Sequence, residues 1–241
     1  MKFLEFNGFK LSISKINKED LLKAPHIINC LNPHSYALAL RDHKFKCSLQ
    51  NSTFLICDGI FLVQVLKIKY GKKIKKYDGP SLHRDILNLY NREKIIYVGG
   101  KPNQLFLLEE QLKKEFPKNN FFFHSPPFSD NIDELITPEL VSLLNKVKPS
   151  VVFVGLGAPK QEIFIDKLKN SYSECHYFGI GAVFDFYTNK NFFFNLSKKF
   201  HLIWLYRLIT DYKRIYPRVF ISPIIFLKHF LNLKSSVKKQ H

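Results

Sequence analysis

The sequence predicts an α/β fold of Rossmann-like kind, in which helices flank a mostly parallel sheet. Segments of helical periodicity alternate with short runs that are almost wholly apolar. Strands of that composition are buried on both faces, as in a parallel sheet covered by helices. The runs that predict strands are Ile27–Leu31, Phe54–Cys57, Ile95–Val98, Phe121–Phe123, Val151–Val154 and Tyr177–Ile180. We expect this core over residues 1–189 and a basic, helical appendage over 190–241.

The remaining elements follow from local signals. Asn7-Gly8 lies between two alternating runs and predicts an N-terminal β-hairpin, because both central positions of a type I′ turn require φ > 0. A helical stretch is expected to begin at residues 17–20. The spacing of apolar residues between 105 and 116 predicts a helix. Another is expected around Asp133–Val147, with Ser129 or Asp130 as its cap.

Composition excludes several classes of protein. With 46% hydrophobic and 24% charged residues, the 241-residue chain is not wholly disordered. The apolar run Val219–Leu227 contains a proline and is far shorter than the ~20 residues that span a bilayer, so we expect no transmembrane helix. No signal peptide is expected at the N-terminus. The four cysteines show no pairing pattern and no metal-ligand spacing, which makes a reduced, cytosolic location the default.

The net charge of +17 is distributed unevenly. Lysine far outnumbers arginine, as in proteins from AT-rich genomes, so the total alone indicates little. The last fifth of the chain, however, has eleven basic residues and one acid, Asp211. There, basic side chains alternate with aromatic ones along amphipathic helices, which is typical of a membrane-surface element. A helix that packs its apolar stripe on the core would give a similar pattern, and the sequence does not decide between the two.

The loops after the strands are the first place to look for a site, because ligands of open parallel sheets bind beyond the carboxyl ends of the strands. The loop at 155–162, Gly-Leu-Gly-Ala-Pro-Lys-Gln-Glu, joins a strand to a helix start, where backbone N–H groups favour a phosphate and Lys160 adds charge. It is not a GxGxxG dinucleotide fingerprint. The glycines alone would also fit a tight turn.

Asp58 follows a strand and precedes a glycine, which makes it a candidate general base. A lone Asp-Gly is more often a turn that caps the next helix. His34 is a weaker candidate of the same kind. The sequence has no DxD motif and no cluster of metal ligands, so no metal cofactor is expected.

Taken together, the motifs resemble the WecG/TagA/CpsF glycosyltransferase family. The resemblance runs from the hairpin to about Arg218. It is carried by Asn32-Pro33, Asp58-Gly59, Asp78-Gly79-Pro80, Gly99-Gly100-Lys101-Pro102, the block from Gly155 to Glu162, the block from Gly179 to Phe186, and Trp204-Leu205-Tyr206-Arg207-Leu208. The Gly155–Glu162 block is the most specific of these.

The resemblance implies an inverting, metal-independent transfer from a UDP-sugar, typically UDP-N-acetylmannosamine or its uronic acid, to a lipid-linked sugar. The acceptor would be polyprenyl-diphosphate-linked, at the inner face of a bacterial membrane with an anionic surface, for cell-surface polysaccharide synthesis. Asp58 takes the role of base, and the arginines close over the diphosphate. The substrate-binding residues carried over are Cys30, Asn32, Lys76, Gly99, Gly155, Gly157, Pro159, Lys160, Gln161, Glu162, Asp185, Arg207, Arg214 and Arg218.

Several positions depart from the family pattern. Cys30 stands where the family often has threonine, and Lys76 where it commonly has arginine. Ser81 replaces an aspartate, Ile203 replaces a glutamate, and the usual Arg-Ala-Pro is lost in 191–195. Lysine keeps the charge of arginine but loses its planar fork. These changes bear on the donor sugar more than on the type of reaction.

Other functions are weaker interpretations. Within the same family, another donor such as UDP-glucose or a catalytically inactive, membrane-binding relative would fit the departures. A basic nucleic-acid-binding module would not need Asp58. Because the sequence has no recognised nucleic-acid-binding motif, no nucleic-acid partner is expected. A Rossmann oxidoreductase is disfavoured because the fingerprint is missing. A homo-oligomer is compatible with the sequence.

Overall fold

The computed structural model describes residues 2–22, 24–189, 191–199 and 202–232. Eight strands form one sheet in the order β1-β2-β4-β3-β8-β7-β5-β6. Only the β1–β2 pair is antiparallel, and the other neighbours run parallel. The strands are β1 (Phe3–Phe6), β2 (Phe9–Ser12), β3 (Ile27–Leu31), β4 (Phe54–Cys57), β5 (Lys94–Val98), β6 (Asn120–His124), β7 (Val151–Val154) and β8 (His176–Gly179). The predicted α/β architecture is therefore confirmed.

Helices connect the strands and cover both faces of the sheet. In the described ranges they are α1 (Pro33–Ala39), α2 (His43–Gln50), α3 (Ile60–Tyr70), α4 (Gly79–Leu89), α5 (Pro102–Glu115), α6 (Ile132–Leu135), α7 (Pro138–Val147), α8 (Lys160–Leu168), α9 (Val183–Thr188), α10 (Phe192–Lys199), α11 (Ile203–Thr210), α12 (Tyr212–Tyr216) and α13 (Ser222–Asn232). A π-helical segment, Pro217–Ile221, joins α12 to α13.

The predicted hairpin and strands are found in the structure. Asn7 and Gly8 have φ of 48° and 77°, and Phe6 pairs with Phe9 across the turn. Positive φ at both central residues matches the twist of the flanking strands. Every residue of β4 and β7 is buried, as expected for strands between two helical layers.

Two helix predictions were wrong. The stretch at residues 17–20 forms only a 3₁₀ helix, Lys18–Asp20. The predicted helix at Asp133–Val147 is two helices, because Pro138 disfavours helical backbone at the preceding Thr137, whose ψ is 155°. Their caps are Asn131 and Thr137, which accept hydrogen bonds from Asp133 N and Leu140 N, and not Ser129 or Asp130.

The C-terminal helices have one packed side and one exposed side. In α13, Phe226 and Phe230 are buried against Phe6 and Tyr36, and His229 Nδ1 lies 2.8 Å from the Tyr36 hydroxyl. The packing interpretation therefore holds for one face of this helix. Of the predicted appendage, Lys190, residues 200–201 and residues 233–241 lie outside the described residues. Its division from the core at residue 189 stays a prediction.

None of the helices in the described ranges combines the length and apolar character needed to cross a bilayer.

Candidate active site

The candidate base, Asp58, lies at the carboxyl end of β4 beside the end of β3. Asn32 Nδ2 donates to Asp58 Oδ2 over 3.3 Å. The Asn32 side-chain oxygen caps α1, accepting from His34 N at 3.0 Å and Ser35 N at 2.9 Å. Because that oxygen is occupied by the helix, the amide NH₂ is directed towards Asp58. The helix cap and the orientation of the candidate base thus depend on one side chain.

Burial raises the pKa of Asp58 above its usual range. The Asn32 hydrogen bond and the charges of Lys76 and Arg218 oppose this shift, whereas the carboxylate of Asp78 adds to it. Asp58 does not cap α3, whose N-cap residue is Gly59 and receives no side-chain cap bond. A half-buried carboxylate with a raised pKa and no capping role is suited to accept a proton.

Lys76 and Asp78 form an ion pair next to Asp58. Lys76 Nζ lies 2.8 Å from Asp78 Oδ2, and Asp78 Oδ1 accepts from Ser81 N at 3.1 Å, capping α4. Sequence reasoning included Lys76 among the binding residues but not Asp78. The signal was present in Asp78-Gly79-Pro80, an aspartate followed by a helix with Pro80 in its first turn.

The three C-terminal arginines gather at the same edge of the sheet. Arg218, half-buried in the π-helical segment, acts by its charge on the carboxylates of Asp58 and Glu162 and is repelled by Arg207 and Arg214. Arg207 Nη2 lies 3.2 Å from Asp185 Oδ2, so two predicted binding residues pair with each other. Arg214 is exposed and bonded to its neighbour in sequence, Asp211, at 2.6 Å.

The glycines of the predicted phosphate loop have different surroundings. A Cβ on Gly155 would lie 2.8 Å from the Phe184 ring, and one on Gly99 would lie 2.9 Å from the Gly155 backbone. These two glycines allow the ends of β5 and β7 to pack closely. Gly157, with φ of 76°, faces open space. Of the three glycines Gly99, Gly155 and Gly157, Gly157 is the one at which the missing side chain leaves room for a ligand.

Lys160 and Gln161, at the start of α8, contact neighbouring loops. Lys160 Nζ pairs with Asp130 Oδ1 at 2.6 Å and donates to the Ser129 carbonyl at 2.9 Å. Gln161, 3% exposed, accepts from Gly181 N at 2.7 Å through Oε1. The cap position of α8 is Pro159, which has no side-chain acceptor. Lys160 and Gln161 thus bind the loops around the site in this structure.

Glu162 is a buried carboxyl group close to the arginines. It is 2% exposed, and its Oε2 is buried without a hydrogen-bond partner in the described structure. Gln161 Nε2 donates to its Oε1 at 3.1 Å. Burial raises the pKa of Glu162 to about 7, against the opposing charge of Arg218.

Cys30 and His34 complete this end of the sheet. The Cys30 thiol donates to the Gly179 carbonyl over 3.5 Å, and burial raises its pKa well above the usual value, so it is a neutral thiol. His34 Nδ1 lies 2.9 Å from Ser222 Oγ, and burial together with Arg218 lowers its pKa to about 4. His34 joins α1 to α13, and Asp58 is the better base.

A cavity of about 940 Å³ lies further along the same edge, beyond β5, β6 and β7. Sequence reasoning missed its outer wall, the loop Ser125–Ser129, although Pro126-Pro127 directly after β6 is a recognisable loop signal. Phe128 in this loop is fully exposed, and Lys160 Nζ lies 5.5 Å from its ring. The inner wall is formed by Gly100, Gly155 and the start of α5.

Within the described part of the chain, no three His, Cys, Asp or Glu side chains come close enough together to hold a metal ion.

Exposed apolar side chains are concentrated on the C-terminal helices next to the arginines. Trp204 and Ile209 on α11 are 48% and 76% exposed, and Phe220 and Ile224 are 43% and 68% exposed. Basic side chains, among them Lys213 and Lys228, lie on the same helices. A soluble domain rarely exposes so many large apolar residues without a binding partner for them.

Comparison with known proteins identifies the family. The sequence matches the Glycosyl transferase WecG/TagA/CpsF family over residues 8–240. It is 25% identical over 164 residues to the N-acetylglucosaminyldiphosphoundecaprenol N-acetyl-beta-D-mannosaminyltransferase of Bacillus subtilis (strain 168), covering 67% of this chain and 62% of that protein. It is 27% identical over 183 residues to the protein of the same name from Bacillus spizizenii (strain ATCC 23059 / NRRL B-14472 / W23), covering 73% of this chain and 67% of that protein. The match thus spans less than two thirds of the first relative. Since the family match covers nearly the whole chain, the protein belongs to the WecG/TagA/CpsF glycosyltransferase family.

Proposed function

We propose that this protein transfers a sugar of the N-acetylmannosamine type from a UDP-sugar to a polyprenyl-diphosphate-linked sugar, with inversion at the anomeric carbon. The observation that carries the proposal is Asp58, a half-buried carboxylate whose pKa burial raises, next to Arg218 at the carboxyl edge of a parallel sheet. The names of the two Bacillus relatives describe the transfer of an N-acetyl-beta-D-mannosaminyl group to N-acetylglucosaminyldiphosphoundecaprenol. The reaction would serve the synthesis of a bacterial cell-surface polysaccharide.

In this reaction Asp58 removes the proton of the acceptor hydroxyl. The hydroxyl oxygen forms a bond to the anomeric carbon while the bond from that carbon to the diphosphate oxygen breaks. The proton goes to Asp58, and UDP leaves with the electron pair. Asn32 holds the carboxylate in place from the side of α1. Attack opposite to the leaving group gives the inverted product.

The arginines supply the charge that the leaving diphosphate needs. Arg218 and Arg207 are both partly buried and lie close enough to repel each other, an arrangement that an anion between them would relieve. Guanidinium groups donate paired hydrogen bonds to phosphate oxygens. We therefore propose that transfer proceeds without a divalent metal, with Arg207, Arg214 and Arg218 stabilising the departing UDP.

The nucleoside is proposed to occupy the cavity beyond β5 and β7. Its volume of about 940 Å³ is sufficient for a nucleotide, and Phe128 at its rim offers an exposed ring against which a base could stack. Gly157, two residues after Gly155 of the cavity wall, has open space where a side chain would lie. The donor would thus lie along the edge, with its diphosphate directed towards Arg207.

The exposed apolar side chains of α11 and α13, together with Lys213 on α12 and Lys228 on α13, are proposed to dock the protein on the anionic inner face of the cytoplasmic membrane, where the lipid acceptor resides. Sedimentation with anionic vesicles tests this. Replacing Trp204 and Ile209 by serine should release the protein into the supernatant, whereas unchanged sedimentation would refute docking through α11.

The transfer itself is tested by UDP release in EDTA from UDP-N-acetylmannosamine, its uronic acid, UDP-glucose and UDP-N-acetylglucosamine. Each donor is assayed with and without a synthetic polyprenyl-diphosphate N-acetylglucosamine. We expect acceptor-dependent release from UDP-N-acetylmannosamine. Release from UDP-glucose alone would reassign the donor. Silence across the panel in a protein that still binds UDP would point to another UDP-sugar or another acceptor, and silence without UDP binding to an inactive relative.

A further inference from the structure

Helix α3 starts immediately after the candidate base and exposes apolar side chains in its first turn. Ile60 and Phe61 are 64% and 40% exposed. The helix is anchored to the core by its other face, where Leu62, Val63 and Leu66 are buried. Beside Asp58, Ile60 is thus largely open to solvent and Phe61 partly so.

Helix α13 lies alongside α3 and extends this apolar area. The rings of Phe61 and Phe226 are 6.2 Å apart, and Lys69 Nζ donates to the Phe230 carbonyl over 3.3 Å. The two helices are thus in contact near both ends of α3. On its outer side α13 exposes further apolar residues. We call the exposed set the α3–α13 surface: Ile60, Phe61, Ile224, Leu227 and Leu231.

A strongly basic segment borders this surface. Residues 59–77 contain six lysines and no acid, and Lys72, Lys73, Lys75 and Lys76, here the lysine segment, are all exposed. Its backbone crosses the carboxyl edge of the sheet, since Lys75 N bonds to the Ile13 carbonyl and Tyr77 N to the Cys57 carbonyl. Cys57 directly precedes Asp58, so the lysine segment lies beside the candidate base.

We propose that the α3–α13 surface holds the hydrocarbon chain of the lipid-linked acceptor and that the lysine segment holds its diphosphate. The inference rests on the proposed function and extends it to a second binding site, separate from that of the donor. Both parts lie beside Asp58, which suits an acceptor whose sugar hydroxyl is followed by a diphosphate and then by an isoprenoid chain. Ile60 and Phe61 follow Asp58 by two and three residues, which connects this surface directly to the candidate base.

The experiment measures binding of geranyl diphosphate and of inorganic diphosphate to the full chain by calorimetry, with UDP saturating the donor site and no membrane present. Wild-type protein should bind geranyl diphosphate at least tenfold more tightly than diphosphate, since the chain buries apolar area. Phe61→Ser should reduce that preference by about tenfold. Because Phe61 is partly exposed, the variant should fold, and Ile60→Ser provides a second test at a more exposed position.

Two further variants complete the design. Phe106→Ser is the matched control, since Phe106 is an exposed phenylalanine, 63% exposed, on α5; its preference should equal that of wild type. Lys72→Gln combined with Lys73→Gln should weaken binding of both ligands by a similar factor. Equal affinity of wild type for the two ligands, or an equal loss in Phe61→Ser and Phe106→Ser, would overturn the inference.

This outcome is independent of the UDP-release assay. If UDP is released but geranyl diphosphate binds no more tightly than inorganic diphosphate, the acceptor site is refuted and the proposed transferase activity stands. Chain-dependent binding without release would leave an isoprenoid diphosphate site on a protein that is not the proposed transferase.

Discussion

The carboxyl edge of the sheet has two halves that differ in chemistry. Around the ends of β3 and β4 charged side chains gather, and Asp58, Lys76, Asp78, Glu162 and Arg218 act on one another. At β5, β6 and β7 the edge is a cavity lined mainly by glycine, proline, apolar and uncharged polar residues; its charged residues are Lys101 and Lys160, and Lys160 is paired with Asp130. Charge is concentrated in the half where, by our proposal, bonds are made and broken. The other half provides volume and shape.

The largest effect is expected from the base in the charged half. Asp58→Asn should lower turnover by about 10²–10⁴-fold, because the amide cannot accept the acceptor proton. The affinity for UDP should stay close to that of wild type, since the cavity half is untouched. Turnover is measured by UDP release and affinity by calorimetry. Unchanged turnover would remove Asp58 from the mechanism.

The next effect is on stability and concerns Glu162, at the boundary of the two halves. Its folded-state pKa of about 7 lies above the ordinary value of 4.5, so the native state binds the proton more tightly than the unfolded state. Wild type should therefore lose stability as the pH rises from 4.5 to 7. By the same linkage, Glu162→Gln should gain about 3 kcal/mol relative to wild type between pH 4 and pH 8.

Urea unfolding of both proteins at several pH values measures this difference. If the stability difference does not change with pH, the pKa of Glu162 is the same in the folded and the unfolded protein, and the predicted effect of its burial is wrong.

A smaller loss of turnover should distinguish Arg218 from Arg214. Arg218→Lys is expected to lower turnover by about 10- to 100-fold, because a partly buried guanidinium loses its paired hydrogen bonds. Arg214→Lys provides the comparison. Its side chain is 66% exposed and paired with Asp211, so the loss should be below about threefold. Equal losses in the two variants would show that only total charge matters in this half.

The smallest effect is expected in the cavity half. If Lys160 serves mainly to hold the loop of Asp130, each single variant, Lys160→Gln or Asp130→Asn, should raise the donor KM slightly. The double variant should raise it to a similar extent, and the coupling free energy between the two positions should be below about 1 kcal/mol. A much larger effect of Lys160→Gln than of Asp130→Asn would indicate that the lysine contacts the donor phosphate directly.

Much of the fold could be predicted because its signals are local. The Asn7-Gly8 turn follows from the backbone preferences of two residues, and each buried strand follows from the apolar composition of four or five consecutive residues. The helix around 133–147 was mispredicted because the helical spacing of apolar residues continues across Pro138, whereas the helical backbone is interrupted before it.

The candidate site was predicted less completely, because its contacts join distant segments. Asp58 and Arg218 were identified from motifs, and the structure brings them to one edge. The pairing of Lys160 with Asp130, and the hydrogen bond between His34 and Ser222, depend on which loops meet in space. The outer wall of the cavity at 125–129 was missed for the same reason.

The double use of Asn32 limits what evolution can place at that position. An aspartate would cap α1 equally well, but it would set a second negative charge against Asp58 and offer it no N–H. A serine or threonine could accept the bonds from α1 but is too short to do so and also reach the carboxylate. By the proposed mechanism, folding and catalysis require the same side chain through different atoms. A variant library at this position should separate the two requirements, with variants that keep stability but lose activity.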